Sequence, residues 1–300
     1  MIRRLKYNEI DFEKYSQCLE NSLQRKYSAT KQFLDLTSGK KWELLVYGDY
    51  EAIMPIPYVK KLGFKIVQNP KLCQQLGIFS KENSQDLNDH FFKFLMEKYV
   101  VRLYAFNDSN QFSSDLKTKK NYLMMPNSYE KVYSGYSPKR KRKLRLDPEF
   151  ETQTEIKAIS FKQAENFIRE NIKGGGKIND VEKYIRLFSG FYTEKILEFH
   201  AFYFKNEIIN LIATYQDNKT VALLGTFNNS NFVKFSGASV LIDDMMKRTV
   251  ETKIFDFEGG DLPSLEEFFR GFRPEMKPYS YILNGKKELV KLLLKKLLKR

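Results

Sequence analysis

Apolar residues recur at helical spacing in some stretches of this chain and alternate with polar residues in others, which predicts helices and strands respectively. In the first half, these patterns predict a helix over residues 11–27 and two strands around a turn at Gly48 and Asp49. A helix over 84–99 and a short strand over 100–106 follow. The first half therefore has the predicted order helix, antiparallel strands, helix, strand.

The second half repeats this order. A glycine-rich segment at 174–177 has no strand before it, as a phosphate loop would, and is interpreted as a connection between two helices. The repeated order predicts an α+β duplication with domains over 1–130 and 151–300, joined by a basic segment over 131–150. The predicted elements of the second half are two helices, three antiparallel strands, a helix, a strand, a short helix and a last strand, over residues 160–172, 180–192, 198–205, 207–216, 220–227, 236–251, 253–259, 262–272 and 278–284.

Positive charge is concentrated in two segments. The chain has 51 Lys and Arg against 37 Asp and Glu, a formal net charge of +14. Residues 139–145 contain six cations and no acid, and the tail 286–300 contains seven cations and one acid. These segments carry most of the excess, so an anionic partner is expected to bind there rather than over the whole surface.

Length, cysteine content and the N-terminal sequence restrict the class of protein. Three hundred residues with 42% hydrophobic content can form a large core. Cys18 and Cys73 have no metal-ligand or disulfide-framework spacing, and the N-terminal residues lack the apolar run of a signal peptide. We therefore expect a soluble, cytoplasmic protein.

Three short motifs in the second half resemble those of FemAB-like, GNAT-fold acyltransferases. In that family a helix that opens on small residues is followed by a strand ending Asp-Phe-x-Gly, then by a short helix ending in an aromatic residue, Arg or Lys, Gly and Phe. The segment YSGYSPKRKRKLR at 133–145 is similar to the family's Tyr-rich, basic segment between two domains. The resemblance covers residues 130–283 by motif and the first half only by element order. The three motifs are Ser236-Gly237-Ala238, Asp256-Phe257-Glu258-Gly259 and Phe269-Arg270-Gly271-Phe272.

The resemblance implies an α+β fold of two tandem GNAT-like domains, each a mixed, mainly antiparallel sheet flanked by helices. It also implies transfer of an acyl group to an amine, with acyl-CoA as the co-substrate.

The start of the helix predicted at residue 236 is a candidate donor site. Coenzyme A would be held through its pyrophosphate, for which a helix N-terminus offers free N–H groups and the positive end of a dipole. Small residues would allow close approach there, although an ordinary Ser-capped helix is the alternative. The candidate donor-binding residues are Lys234, Ser236, Gly237, Ala238 and Ser239, with Lys139, Arg140 and Arg142 from the basic segment.

Two carboxylates at the end of a predicted strand are candidates for the catalytic base. Alternation over 253–259 places Asp256 and Glu258 on one face, where either could take a proton from an ammonium group before the amine attacks the acyl carbon. Tyr279 is a candidate acid for the leaving thiolate. Structural carboxylates and a core tyrosine are the alternatives for these three residues.

Motifs of serine hydrolases, zinc proteases and P-loop proteins do not occur in the sequence, and we expect no bound metal. His90 and His200 have no partner at metal-ligand spacing and are interpreted as structural.

The sequence therefore predicts an N-acyltransferase that uses acyl-CoA and a small-molecule, lipid or peptide amine. A Fem-type aminoacyltransferase, which uses aminoacyl-tRNA to build peptidoglycan cross-bridges, is an alternative because the basic centre would suit tRNA phosphates. A non-catalytic protein of the same fold that binds RNA or a membrane surface is a further alternative.

The tail 286–300 has the pattern of an amphipathic helix. Its apolar side could pack on the domain or lie on an anionic membrane, so peripheral membrane contact remains open. The apolar side consists of Leu289, Val290, Leu293, Leu294, Leu297 and Leu298, and the basic side of Lys287, Lys291, Lys295 and Lys299.

Overall fold

The computed structural model describes residues 1–61, 63–172 and 178–298. The glycine-rich segment at 174–177 and Lys299 of the predicted tail lie outside the described residues. The described residues form strands β1 (Ile2–Leu5), β2 (Trp42–Tyr47), β3 (Ala52–Lys61), β4 (Phe64–Gln68), β5 (Phe79–Ser80), β6 (Val100–Ala105), β7 (Lys117–Lys119), β8 (Tyr122–Met124), β9 (Thr154–Ile159), β10 (Leu197–Phe204), β11 (Glu207–Gln216), β12 (Thr220–Asn228), β13 (Ile254–Asp256), β14 (Glu275–Met276) and β15 (Tyr279–Leu283).

Most of the helices begin at side-chain caps that the sequence supplies. Asp11 accepts hydrogen bonds from two N–H groups at the start of the first helix, and Ser84 and Ser160 cap two others in the same way. The described α-helices are α1 (Phe12–Asn21), α2 (Lys31–Ser38), α3 (Gln85–Lys98), α4 (Tyr129–Gly135), α5 (Pro138–Leu144), α6 (Pro148–Glu151), α7 (Phe161–Asn171), α8 (Ile178–Thr193), α9 (Gly237–Thr249), α10 (Pro263–Arg270) and α11 (Lys286–Leu297).

The chain divides into two compact units, and this division differs from the predicted one. The first unit combines residues 1–120 with 278–300, and the second is the continuous segment 121–277. The boundaries predicted at 130 and 150 fall inside the second unit, and the basic tail belongs to the first. Strand pairing is the physical reason, because β15 pairs with β6 and β7 while β8 pairs with β13 and β14.

The first unit contains a mainly antiparallel sheet. Its strand order is β1-β2-β3-β4-β6-β15-β7, and β5 pairs with β3 outside this path. Among the described strands of this unit, only β4 and β6 pair in parallel. Large side chains that are fully buried, among them Tyr15, Phe33, Trp42, Phe91 and Phe106, form its core.

The second unit follows the same plan. Its strand order is β14-β8-β13-β12-β11-β10-β9, and within the residues that the structure describes only β12 and β13 pair in parallel. In both units, a run of antiparallel strands is followed by one parallel pair, β4 with β6 or β12 with β13. The next strand in each sheet, β15 or β8, is distant in sequence and pairs antiparallel with the second strand of that pair. The predicted fold class, two α+β units with mixed, mainly antiparallel sheets, is confirmed.

Helices cover both faces of the second sheet. On one face, the rings of Phe161 and Phe188, from α7 and α8, lie 6.0 and 6.1 Å from the ring of Phe199. On the other face, Leu241 of α9 and Phe269 of α10 belong to one buried cluster with Phe202. Phe199 and Phe202 point to opposite faces because side chains alternate along β10. Helices α9 and α10 therefore share a layer.

The described part of the chain contains no helix that combines the length and apolar character needed to cross a bilayer.

Candidate functional site

The basic segment forms the short helix α5. Ser137 is its N-cap and accepts a hydrogen bond from the Arg140 N–H at 3.2 Å, while Pro138 occupies the first turn. Arg140 is only 4% exposed, whereas Lys139 and Arg142 are exposed. The helix thus directs one of its cations into the second unit and most of the others outward.

Arg140 is a buried cation that is held by neutral groups. Its guanidinium donates hydrogen bonds to the Ser239 hydroxyl and, at 2.6 Å, to the carbonyl oxygen of Phe268. Its Cζ lies 4.4 and 4.2 Å from the ring centroids of Phe268 and Phe272. A Cβ on Gly271 would lie 2.9 Å from the guanidinium Nε, so this glycine leaves the space that Arg140 occupies. The motif at the end of α10 therefore forms a pocket for Arg140.

Within the described residues, no carboxylate pairs directly with Arg140, and its buried Nε has no hydrogen-bond acceptor. Burial lowers the pKa of Arg140 to about 10, although the charge of the Asp243 carboxylate, beyond ion-pair distance, raises this pKa. The side chain is therefore protonated at neutral pH. A buried, unpaired cation favours an anion at the adjacent surface.

A basic cleft of about 560 Å³ lies between α5 and α10. Lys139, Arg140 and Lys143 line it from α5, and Arg270 and Arg273 line it from the end of α10 and the residues that follow. Burial, and then the neighbouring cations, lowers the pKa of Lys143. These five side chains make the cleft a concentrated source of positive charge.

Two glutamates of α10 also line the cleft, and both have partners. Glu267 forms an ion pair with Lys139 at 2.8 Å, and Glu266 accepts a hydrogen bond from the Tyr122 hydroxyl at 2.8 Å. The two acids do not balance the five cations, so the cleft keeps a net positive charge that suits phosphate groups.

The predicted donor residues at the start of α9 are only partly accessible. Ser236 is the N-cap with a φ of 57°, and its side chain caps no N–H group. Ser236 and Ala238 are half-buried and Lys234 is exposed. Ser239 is buried and its hydroxyl accepts a hydrogen bond from Arg140, so this residue joins α9 to the wall of the basic cleft.

Neighbouring side chains leave no space for a side chain at Gly237. A Cβ at this position would lie 1.9 Å from Oδ1 of Asn210 and 2.6 Å from Cδ1 of Phe202. The close approach that the sequence indicated at Gly237 is therefore that of strands β10 and β11, and the space is not open to a pyrophosphate.

Strands β12 and β13 pair over a short distance and then separate. They pair in parallel only at residues 220–222 of β12, whereas β12 continues to Asn228 on β11. A register shift between β11 and β12 near Leu224 bends the strand. No strand in the described part of the chain pairs with the other edge of β12 at residues 223–228. This open edge can accept an extended ligand.

The turn after β13 places the two predicted carboxylates in different surroundings. Asp256 is buried, and its Oδ1 accepts hydrogen bonds from Asn121 Nδ2 and from the Glu258 N–H, both at 2.9 Å. Asn121 also accepts a hydrogen bond from the Gly259 N–H at 3.0 Å. The Asp256 carboxylate therefore stabilises the turn through these hydrogen bonds. Glu258 is half-buried and has a φ of 54°.

Tyr279, the predicted acid, lies in the first unit. It is buried in β15, opposite Lys119 of β7. The structure does not place it in one unit with Glu258.

Four residues of this region were not assigned to the site from the sequence. The sequence shows that Lys143, Arg270 and Arg273 are cations, but it does not show that the fold brings them to one cleft. Asn121 carried no signal, because a lone asparagine before a three-residue strand has no distinctive pattern.

The described residues contain no group of three or more His, Cys, Asp or Glu side chains that could hold a metal ion. His200 is buried in β10, and burial lowers its pKa to about 4, so it is neutral at pH 7.

Comparison with solved structures shows the same fold in proteins of very different sequence. FemX is 9% identical, with a TM-score of 0.66 over 97% of this chain and 99% of its own. A conserved protein of unknown function from Bacteroides thetaiotaomicron VPI-5482 is 9% identical, with a TM-score of 0.54 over 95% and 100% of the two chains. The C-terminal domain of a protein described as a lysylphosphatidylglycerol synthetase, from Agrobacterium fabrum, is 11% identical, with a TM-score of 0.50 over 93% and 95%.

No family model and no curated protein matches this sequence. At these identities the structural likeness shows the fold alone, which this chain shares with FemX over nearly its whole length.

Proposed function

We propose that this protein is an N-acyltransferase and that its acyl donor, acyl-CoA, binds to the second unit. The observation that carries the proposal is the basic cleft, which adjoins the start of α9 through the contact between Arg140 and Ser239. The cleft supplies cations for the phosphates of the donor. The open edge of β12 supplies backbone groups that can pair with the amides of an extended pantetheine chain.

The proposed chemistry is attack of an amine nitrogen on the thioester carbonyl. A C–N bond forms, the C–S bond breaks, and the sulfur leaves as a thiolate. Glu258 is the proposed base that takes a proton from the ammonium form of the acceptor. The thiolate can take a proton from water, because an ordinary thiol has a pKa of about 8.5. Binding and positioning of the two substrates would supply most of the acceleration.

Aminoacyl-tRNA is the second candidate donor. Five cations line the cleft, more than a pyrophosphate alone needs, and they could bind several phosphates of an RNA backbone. The transfer chemistry would be the same, with an ester in place of the thioester.

The test is calorimetric titration of the full chain with coenzyme A, acetyl-CoA and tRNA. The variant Lys143→Gln, Arg270→Gln, Arg273→Gln should bind acetyl-CoA about tenfold or more weakly, because each lost charge-assisted contact lowers the binding free energy. These three side chains are exposed, so their replacement should leave the fold intact.

The matched control removes three exposed cations from the opposite face of the same sheet. Lys162→Gln, Lys183→Gln, Arg186→Gln changes residues of α7 and α8 and should leave donor affinity unchanged. Tight binding of tRNA alone, with an affinity that falls steeply with salt, would favour the second donor. Binding of none of the three ligands would contradict both.

A further inference from the structure

Helix α11 has two different apolar surfaces. It contacts β6 of the first unit, and Leu289 and Leu293 are half-buried. Val290, Leu294 and Leu297 form a second row, spaced four and three residues apart, and each is 50–55% exposed. This second row is the outer stripe of α11. Packing on the sheet therefore uses only part of the apolar surface of the helix.

Lysines run beside the outer stripe. Lys287, Lys291 and Lys295 are exposed and form a row at spacings of four residues. Each of them precedes an exposed apolar residue by three positions, so the two rows are neighbours on the helix surface. The C-cap Leu298, which follows Lys295 at this spacing, is 88% exposed. The outer side of α11 thus combines leucines with a continuous line of cations.

A second basic cleft lies at the start of the same helix. It has a volume of about 700 Å³ and is lined by Lys61, Arg102, Lys117 and Lys286, with one glutamate among its lining residues. In the part of the chain that the structure describes, none of these four cations forms an ion pair with a carboxylate. Leu283, which also lines this cleft, is 54% exposed. Charge and exposed apolar surface therefore continue from the cleft onto α11.

We propose that the first unit docks on an anionic phospholipid surface through the outer stripe of α11 and this second basic cleft. The leucines would enter the boundary between headgroups and acyl chains while the lysine heads remain at the phosphates. A helix of 12 residues is suited to lying in that plane. The cleft offers four cations to lipid phosphates or to other anionic headgroup atoms.

A second copy of the chain is a poorer partner for this surface. The helix carries Lys286, Lys287, Lys291, Lys295 and Lys296 against one glutamate, so two copies would bring like charges together. An anionic bilayer offers acyl chains to the outer stripe and phosphates to the cations. The proposal does not depend on the acyl-transfer activity.

The experiment is flotation of the full-length protein with vesicles of phosphatidylcholine and phosphatidylglycerol, compared with phosphatidylcholine alone. The wild type should bind only the anionic vesicles. Lys287→Gln, Lys291→Gln, Lys295→Gln should lower the partition coefficient about a hundredfold, and Val290→Gln, Leu294→Gln, Leu297→Gln should lower it at least about tenfold. The three apolar side chains are 50–55% exposed and the three lysines are exposed, so both variants should fold.

The matched control replaces three exposed apolar residues outside α11. Leu23→Gln, Val233→Gln, Leu262→Gln changes side chains that are 83%, 63% and 62% exposed, and it should bind anionic vesicles as the wild type does. The proposal is overturned if the wild type fails to bind anionic vesicles, or if the control loses as much binding as the stripe variant. It is also overturned if sedimentation velocity shows that the stripe variant only converts a dimer to a monomer.

Discussion

Glu258 has a backbone conformation that is costly for a residue with a side chain. Its φ of 54° lies in the left-handed region, which costs roughly 1–2 kcal/mol outside glycine. Such strain occurs at functional sites, where the surrounding structure maintains it. Glu258→Gln keeps the size of the side chain but cannot accept a proton. We expect turnover to fall about 10²–10⁴-fold while acetyl-CoA affinity is unchanged.

The measurement is kcat with saturating acetyl-CoA and an amine that the wild type acylates. Glu251→Gln, which changes an exposed carboxylate just after α9, is the control and should keep full turnover. A fully active Glu258→Gln enzyme would remove Glu258 from the mechanism without affecting the proposed donor cleft.

His200 makes the stability of the second unit sensitive to pH. Its pKa is about 4 in the folded protein, first because of burial and then because of Arg248, against about 6.5 in an unfolded chain. Between these values the unfolded chain binds a proton that the folded chain does not. The free energy of unfolding should therefore be highest above pH 6.5 and fall by about 3 kcal/mol in total as the pH is lowered to 4.

Denaturant unfolding of the wild type and of His200→Gln across this pH range checks the prediction. In the variant, the free energy of unfolding should fall much less between pH 6.5 and 4, because glutamine does not titrate. An equally steep decline in both proteins would show that other groups cause the pH dependence.

The two glycines of the family-like motifs show what a sequence can indicate at single positions. At Gly237 the sequence indicated the close approach of another group, expected to be a pyrophosphate, whereas at Gly271 it offered only the resemblance to a family motif. The structure identifies the neighbouring group as Asn210 at the first position and as Arg140 at the second. A glycine shows that space is needed, but the fold decides whether a ligand, a strand or a distant side chain occupies it.

At the scale of elements, the parallel strand pair differs between the two units. In the first unit, the chain beyond β4 remains on β6. The Asn69 N–H donates to the Leu103 carbonyl oxygen at 3.2 Å, and the Leu76 N–H donates to that of Ala105 at 2.9 Å. In the second unit the corresponding edge of β12 is open. The same element order thus gives a closed edge in one unit and an open one in the other, and this difference is one reason why we propose the donor site in the second unit.

The sequence predicted the long elements well and the short ones poorly. Helices α3 and α9 and strands β10 and β11 contain enough turns or alternations for their period to show. Strand β8 has three residues and β14 has two, so neither has a measurable period. Helix α5 contains almost no apolar residue, so its hydrophobic pattern predicts no helix. The basic cleft depends on these short elements, which is why the sequence showed its charge but not its shape.

At the scale of the whole molecule, the chain leaves the first unit after residue 120 and returns to it at 278. The sequence showed a strand near 278–284, but a hydrophobic pattern does not identify its partner. The structure pairs β15 with β6, at the place that β8 takes beside β13 in the second unit. The basic tail therefore belongs to the first unit, and the basic helix α5 belongs to the second.

This connectivity predicts which fragment of the chain can fold alone. Residues 121–277 contain a whole sheet and the core that Tyr122, Val132, Tyr136 and Phe150 share with α9. We expect this fragment to unfold cooperatively in denaturant and, if the proposed donor site is right, to bind acetyl-CoA. The fragment 151–300, which follows the sequence-based boundary, lacks those side chains and β8 but keeps β15 without its partner strands. It should show no cooperative transition, and a cooperative transition in 151–300 with none in 121–277 would contradict the observed division.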